Sequence, residues 1–190
     1  MAARAQRHVL RHDERVPGPW ANGGGVTYEV VRSPAGADDF DWRLSVAEVA
    51  TEGPFSAYPG VDRILVLLGG AMTLVINGEA YDVRPFAPVS FPGEASVVSL
   101  LPAGSTMDFN VMTRRGRAAA EVLMHFDADL FLTPEPNTDT VVFIADGAWR
   151  VDGVDEALST WDCVTVENPI RLSGDGTLAI VTLRMRADSL

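Results

Sequence analysis

The sequence predicts an all-β chain built as two jelly-roll-like β-barrels packed together, and three observations carry that prediction. Its apolar segments are short, rich in Val, Ile and Leu, and bounded by Gly, Pro, Asn or Asp at spacings near ten residues. Sustained 3.6-residue amphipathic patterns are nearly absent. The run DRILVLLGGAMTLVINGE from Asp62 also aligns without gaps with DTVVFIADGAWRVDGVDE from Asp139, at an offset of 77. Each copy is an apolar strand, a Gly-Ala turn and a second strand. WRLSVAEVA and AAAEVLMHF match just upstream at an offset of 76, and VRPFAPVSFPGE resembles LSTWDCVTVENP downstream. Two copies of one barrel, a bicupin of the RmlC-like cupin type, account for that order, with a single larger β-sandwich as the alternative.

The elements follow in chain order. VTYEVVR (26–32) and WRLSVAEVA (42–50) alternate polar and apolar residues, as half-buried strands do. RILVLLGG (63–70) and MTLVING (72–78) are joined through Gly69-Gly70, and EAYDVRP (79–85) follows the Asn77-Gly78 turn. PVSFPG (88–93), SVVSLLP (96–102) and TMDFNVMTR (106–114) complete the first copy, whose last strand runs into RRGR, a solvated basic turn. The second copy reads as AAAEVLMHF (118–126), DTVVFIADG (139–147), AWRVDG (148–153), DCVTVE (162–167) and TLAIVTLRMR (177–186). This sets residues 1–116 as the first barrel with its N-terminal segment and 117–190 as the second. Trp149 and Trp161 are expected in the second core.

Composition removes several function classes. With 190 residues and 47% of them apolar, the chain can bury a sizeable core without disulfides. A formal charge of −11 repels polyanions, so nucleic acid is not an expected partner. No apolar run approaches a membrane span and the charged N-terminus is no secretion signal, so the expected location is the cytoplasm. The chain contains no lysine, which excludes Schiff-base chemistry and a Walker-type phosphate loop. Its one cysteine, Cys163, lies in the apolar run WDCVTVE and reads as a buried thiol. The histidines are His8, His12 and His125; no two share a strand, so a histidine-bound metal is not expected.

Polar residues at alternate strand positions point to a chamber in the first copy. Period two puts Arg43, Ser45 and Ala47 on one face of their strand, and Arg63 with Leu65 and Leu67 on one face of theirs. Asp108 and Asn110 share a face, as do Thr27 and Glu29. A barrel lined by a few fixed polar groups among apolar ones resembles a small-molecule pocket, and arginine's planar fork suits a carboxylate. The plainer alternative is that Arg43 and Arg63 merely pair with Glu29, Glu48 or Asp108. In PWANGGGVTYEV, Gly23 to Gly25 lead into a β-branched run rather than a helix, so they read as a backbone bend and not a phosphate loop.

PWANGGGVTYEV, WRLSVAEVATEGPFSAYPGVDRILVLLGG, FPGE and DFNVMTRRG, in that order, resemble the HutD/Ves family of bicupin proteins, linked to histidine utilisation. The likeness runs from about Arg7 to the last strand and is dense through the first 116 residues, with no functional residue carried over in the second half. It implies a metal-free cupin without a cofactor, binding a pathway intermediate such as urocanate or N-formylglutamate rather than catalysing a step. It further implies that Asn22, Thr27, Glu29, Arg43, Ser45, Arg63, Asp108 and Asn110 cluster near one barrel mouth. The glycines are expected to fold the N-terminal segment over that barrel, bringing Asn22 and backbone N–H groups to the rim. AYPG at Ala57 to Gly60 departs from the expected pattern, with Tyr58 supplying the aromatic. The alternative function is a metal-independent isomerase or lyase, with Glu29 as base and Arg63 stabilising an anion. Homodimer pairing through exposed strand edges is compatible with either.

Overall fold

The computed structural model describes residues 8–20 and 22–186. Its strands are β1 (Val9–Leu10), β2 (Pro17–Pro19), β3 (Gly25–Ser33), β4 (Trp42–Val49), β5 (Gly53–Pro54), β6 (Val61–Gly69), β7 (Met72–Ile76), β8 (Glu79–Val83) and β9 (Pro88–Pro92). They continue with β10 (Val97–Leu100), β11 (Thr106–Arg114), β12 (Ala118–His125), β13 (Asp129–Leu132), β14 (Thr138–Val151), β15 (Leu158–Ser159), β16 (Cys163–Thr165) and β17 (Ile170–Met185). A 3-10 turn spans His12–Glu14. No helix among the described residues is long and apolar enough to cross a membrane. The chain is all-β and of the cupin type, as the sequence predicts.

Two compact units form. Among the described residues, one takes 15–20 and 22–119, the other 120–185 together with 8–14. In the first, a six-stranded sheet in the order β2-β3-β4-β11-β6-β9 accompanies a four-stranded sheet, β5-β10-β7-β8. Both contribute to one core: Val49, Leu65, Leu67 and Phe91 from the larger sheet pack with Met72, Leu74, Val83 and Val97 from the smaller. Burying these faces against each other is what the alternating patterns in the sequence require. In the second unit one sheet runs β12-β17-β14-β16-β1. That order repeats β4-β11-β6-β9 strand for strand, so the offset of 77 read in the sequence is a repeat of topology.

Three expectations need correction. The two strands expected over 139–147 and 148–153 are one continuous bent strand, β14, Thr138–Val151. An extra residue, Ala145, is inserted where the pairing with β17 shifts, and it changes which residues face inward, from Val142 and Ile144 to Trp149 and Val151. The ribbon folds so that both halves of β14 and β17 share one core. Second, β17 begins at Ile170, because Gly174 and Gly176 pass through the same bend, weakening the strand signal before Thr177. Third, residues 8–14 belong with 120–185 and not with the first barrel: Val9 pairs with Val164, Leu10 with Cys163, and Asp162 accepts from Arg11 and the His12 backbone. Trp149 is wholly buried in this core, whereas Trp161 is only half-buried, edge-on to the His12 ring at 6.5 Å. Cys163 is buried as expected.

Candidate functional site

The inward face of the six-stranded sheet is organised in rungs by its antiparallel register. Arg43, Met112 and Arg63 lie opposite one another on β4, β11 and β6; so do Ser45, Asn110 and Leu65, and then Ala47, Asp108 and Leu67. On β3, Glu29 faces Ser45 and Thr27 faces Ala47. The structure therefore brings together Asn22, Thr27, Glu29, Arg43, Ser45, Arg63, Asp108 and Asn110 around one cavity of about 560 Å³. Trp20, Phe55, Tyr58 and Met112 supply much of the apolar wall, Tyr58 being the aromatic expected from the AYPG turn.

Arg63 sits at the centre of the arrangement, 6% exposed. Its guanidinium lies 5.1 to 5.7 Å from the centroids of Phe91, Phe55 and Tyr58, whose ring faces favour a cation. One terminal nitrogen donates to Asn110 Oδ1 at 2.7 Å, and the Asn110 amide donates in turn to Asp108 Oδ1. Arg63 Nε and Asp108 Oδ2 are buried without a hydrogen-bond partner. Among the described residues no carboxylate lies within ion-pair distance of Arg63. Burial lowers the Arg63 pKa, against the opposing pull of Asp108. Burial likewise pushes the Asp108 carboxyl up to about 7, with Arg63 and the Asn110 hydrogen bond only partly offsetting it.

The other charged group is a triad. Arg43 Nε donates to Glu29 Oε2 at 2.8 Å, Arg32 Nε donates to Glu29 Oε1 at 2.7 Å, and a second Arg32 nitrogen bonds Glu29 Oε2. Burial pushes the Glu29 carboxyl up, but the two arginines outweigh it and hold the carboxyl below its ordinary range. Strict alternation puts Arg32 on the opposite face from Glu29. A bulge at Val30 shifts the register, so Arg32 faces Arg43 and joins the triad. Arg32 is therefore missed by a period-two reading, and nothing local in VTYEVVR announces the bulge. Glu48 falls on the face away from Arg43 and does not pair with it.

The opening glycines meet one part of the expectation, Trp20 and Asn22 lying at the cavity, and not the other. Gly25 is required by close approach: a Cβ there would lie 2.2 Å from the Glu48 carbonyl oxygen and 3.2 Å from the Trp20 ring. This lets Trp20 lie against the barrel and donate to Thr27 Oγ1 at 2.8 Å. The backbone N–H groups of Gly23 and Gly24 do not serve the cavity, because they are taken by Trp20 O at 2.9 Å and Asn22 Oδ1 at 3.0 Å. Asn22 lines the rim with one side-chain oxygen already engaged.

The second unit holds a smaller cavity of about 180 Å³. The repeat and its register place Thr140, Ile180 and Leu178 where the first copy has Arg63, Asn110 and Asp108. The second copy therefore has apolar or hydroxyl side chains at the three positions where the first holds Arg63, Asn110 and Asp108. Among the described residues no three His, Cys, Asp or Glu side chains converge as a metal site.

A family model described as HutD matches residues 12–181. Protein Ves of Citrobacter koseri is 37% identical over 135 residues, covering 70% of this chain and 69% of that protein. The structure of HutD from Pseudomonas fluorescens superposes with a TM-score of 0.83 at 30% identity, covering 96% of this chain and all of that one. Ylba from Escherichia coli, at 11% identity and a TM-score of 0.71 over the whole of this chain and 96% of its own, shares the fold alone.

Proposed function

Because this chain belongs to the HutD family, we propose that the chamber of residues 15–119 receives a small carboxylate without transforming it, and that the protein thereby modulates histidine or amino-acid catabolism in the cytoplasm. The observation that carries this reading is Arg63, a cation almost wholly enclosed, lining an open chamber and in no direct ion pair with a carboxylate among the described residues, Asp108 reaching it only through the Asn110 amide. A buried charge is tolerated when a partner is supplied, and a planar carboxylate is the partner a guanidinium fork fits best. Arg43 adds a second cation on the same rung, already engaged by Glu29. N-formylglutamate and urocanate, each carrying a carboxylate, are the intermediates to test first.

The enzymatic alternative with Glu29 as base draws less support from the same geometry. A general base needs a carboxyl poised near the working pH. Glu29 is instead pulled the other way by Arg32 and Arg43.

Titration calorimetry with N-formyl-L-glutamate and urocanate tests the receptor reading. The wild type releases or absorbs heat with one of them. Arg43→Ala and Arg63→Met each lose roughly 1.5–3 kcal/mol of binding, the range for a hydrogen bond to a charged group. No heat with either acid at millimolar concentration contradicts it, and unchanged affinity in both variants assigns these arginines to structure alone.

A further inference from the structure

Asp108 is wholly enclosed beneath the chamber, with one oxygen bonded to the Asn110 amide and the other unpartnered. Through Asn110 it reaches Arg63, which stands on the neighbouring strand of the same face. Arg63 and Asp108 both line the cavity, but the two unpartnered atoms, Arg63 Nε and Asp108 Oδ2, are themselves buried. Asp108 is thus the internal counter-charge of a cation that the proposed ligand must also neutralise. One guanidinium in an apolar enclosure balances one negative charge well and two badly, because like charges in a low-dielectric site repel strongly.

We propose that Asp108 is a positioning residue which takes up a proton when a carboxylate docks on Arg63, so that anion binding and protonation of a buried carboxyl are one coupled event. The inference rests on the receptor reading and adds to it the condition under which the chamber fills. The proton goes to Asp108 from solvent, and no bond is made or broken in the ligand. Asp108, with its pKa pushed up to about 7, stands where such coupling is felt near neutral pH.

The groups around Asp108 leave few other acceptors for that proton. Opposite it stand Leu67 on β6 and Ala47 on β4; one rung away are Leu65 and Ser45, and two rungs away, on the same face, Arg63 and Arg43. From β3 come Thr27 and Glu29, the latter held ionised by Arg32 and Arg43. Tyr58 precedes β6, and the smaller sheet offers the apolar Met72, Leu74, Val83 and Val97. No histidine lines the cavity; His8, His12 and His125 all belong to the other unit.

The probe is N-formyl-L-glutamate, whose carboxyls are both ionised above about pH 5.5, titrated into the full chain from there to about pH 8.5 in buffers of differing ionisation heat. Wild-type affinity should be level below about pH 7 and fall up to about tenfold per pH unit above it, with proton uptake approaching one per ligand at the upper end. In Asp108→Asn, which keeps a neutral group of the same shape, both the slope and the proton uptake should disappear. A readout on the unliganded chain guards against a variant that folds poorly. A carboxyl that keeps its proton in the folded state makes wild-type stability fall as pH rises from about 4 to about 7, and the variant should lack that fall.

Binding without proton uptake overturns the coupling and leaves the receptor reading intact. An Asp108→Asn chain that keeps the wild-type slope assigns the proton elsewhere and overturns it too. No binding at any pH overturns the receptor reading and the coupling with it.

Discussion

Asp162 and Asp108 are both buried carboxyls, and their surroundings drive them in opposite directions. Asp162 accepts hydrogen bonds from the backbone of Ser159 and His12 and from Arg11, which overcome burial and hold it near 2. Its folded-state pKa is depressed, so its contribution is present above about pH 4 and is lost as pH falls toward 2. Asp162→Asn should therefore lower the stability of this unit by about 1–2 kcal/mol at neutral pH, after a discount for nearby solvent. The difference from wild type should close on acidification, as followed by urea unfolding across pH; a constant gap would show that packing rather than charge is at stake. Composition cannot separate two such aspartates, since what distinguishes them is which N–H groups the fold aims at each. The alternation of Arg43, Ser45, Arg63, Asp108 and Asn110 was legible because a strand's two-residue period fixes its faces. Arg32 was not, because one inserted residue at Val30 reverses that parity without leaving a mark in the local pattern.

Bulges and glycines decide how the strands bend. Gly147 has φ +86°, and a Cβ there would lie 1.8 Å from the Asp175 carbonyl oxygen; Gly78, at φ +89°, has open space around it. Gly147→Ala should consequently destabilise the second unit by several kcal/mol, whereas Gly78→Ala should cost about 1 kcal/mol from backbone strain alone. Thermal unfolding of the two variants checks this, and equal losses would contradict a steric role for Gly147. The same crossing explains why two expected strands, 139–147 and 148–153, are the single strand β14. Gly70 and Gly147 hold equivalent places in the repeat, but the chain breaks between β6 and β7 at the first and runs on through β14 at the second. A Gly-Ala turn signal marks a change of direction, and the hydrogen-bonding partner of each arm settles whether the ladder continues. The short strands β1, β2, β5 and β15 escaped notice because two or three residues, several of them Pro or Gly, carry no periodic pattern.

For the molecule as a whole, duplication explains why one copy became the candidate site. Both copies keep the apolar rungs that build a core, while only the first places Arg63, Asp108 and Asn110 in its interior. The overall cupin architecture was readable from strand spacing and the repeat, since both depend on burying one face of many short strands. Which unit the N-terminal residues join was not, because it rests on two backbone pairs and the hydrogen bonds of Asp162. The central claim is that the enclosed guanidinium of Arg63 is the chamber's anion receptor. Its most direct test is titration calorimetry of wild type and Arg63→Met side by side with N-formyl-L-glutamate at about pH 6, where the Asp108 carboxyl is mostly protonated. The account predicts saturable binding to the wild type and at least a roughly tenfold loss, about 1.4 kcal/mol, in the variant. Equal affinity in the two proteins would contradict it.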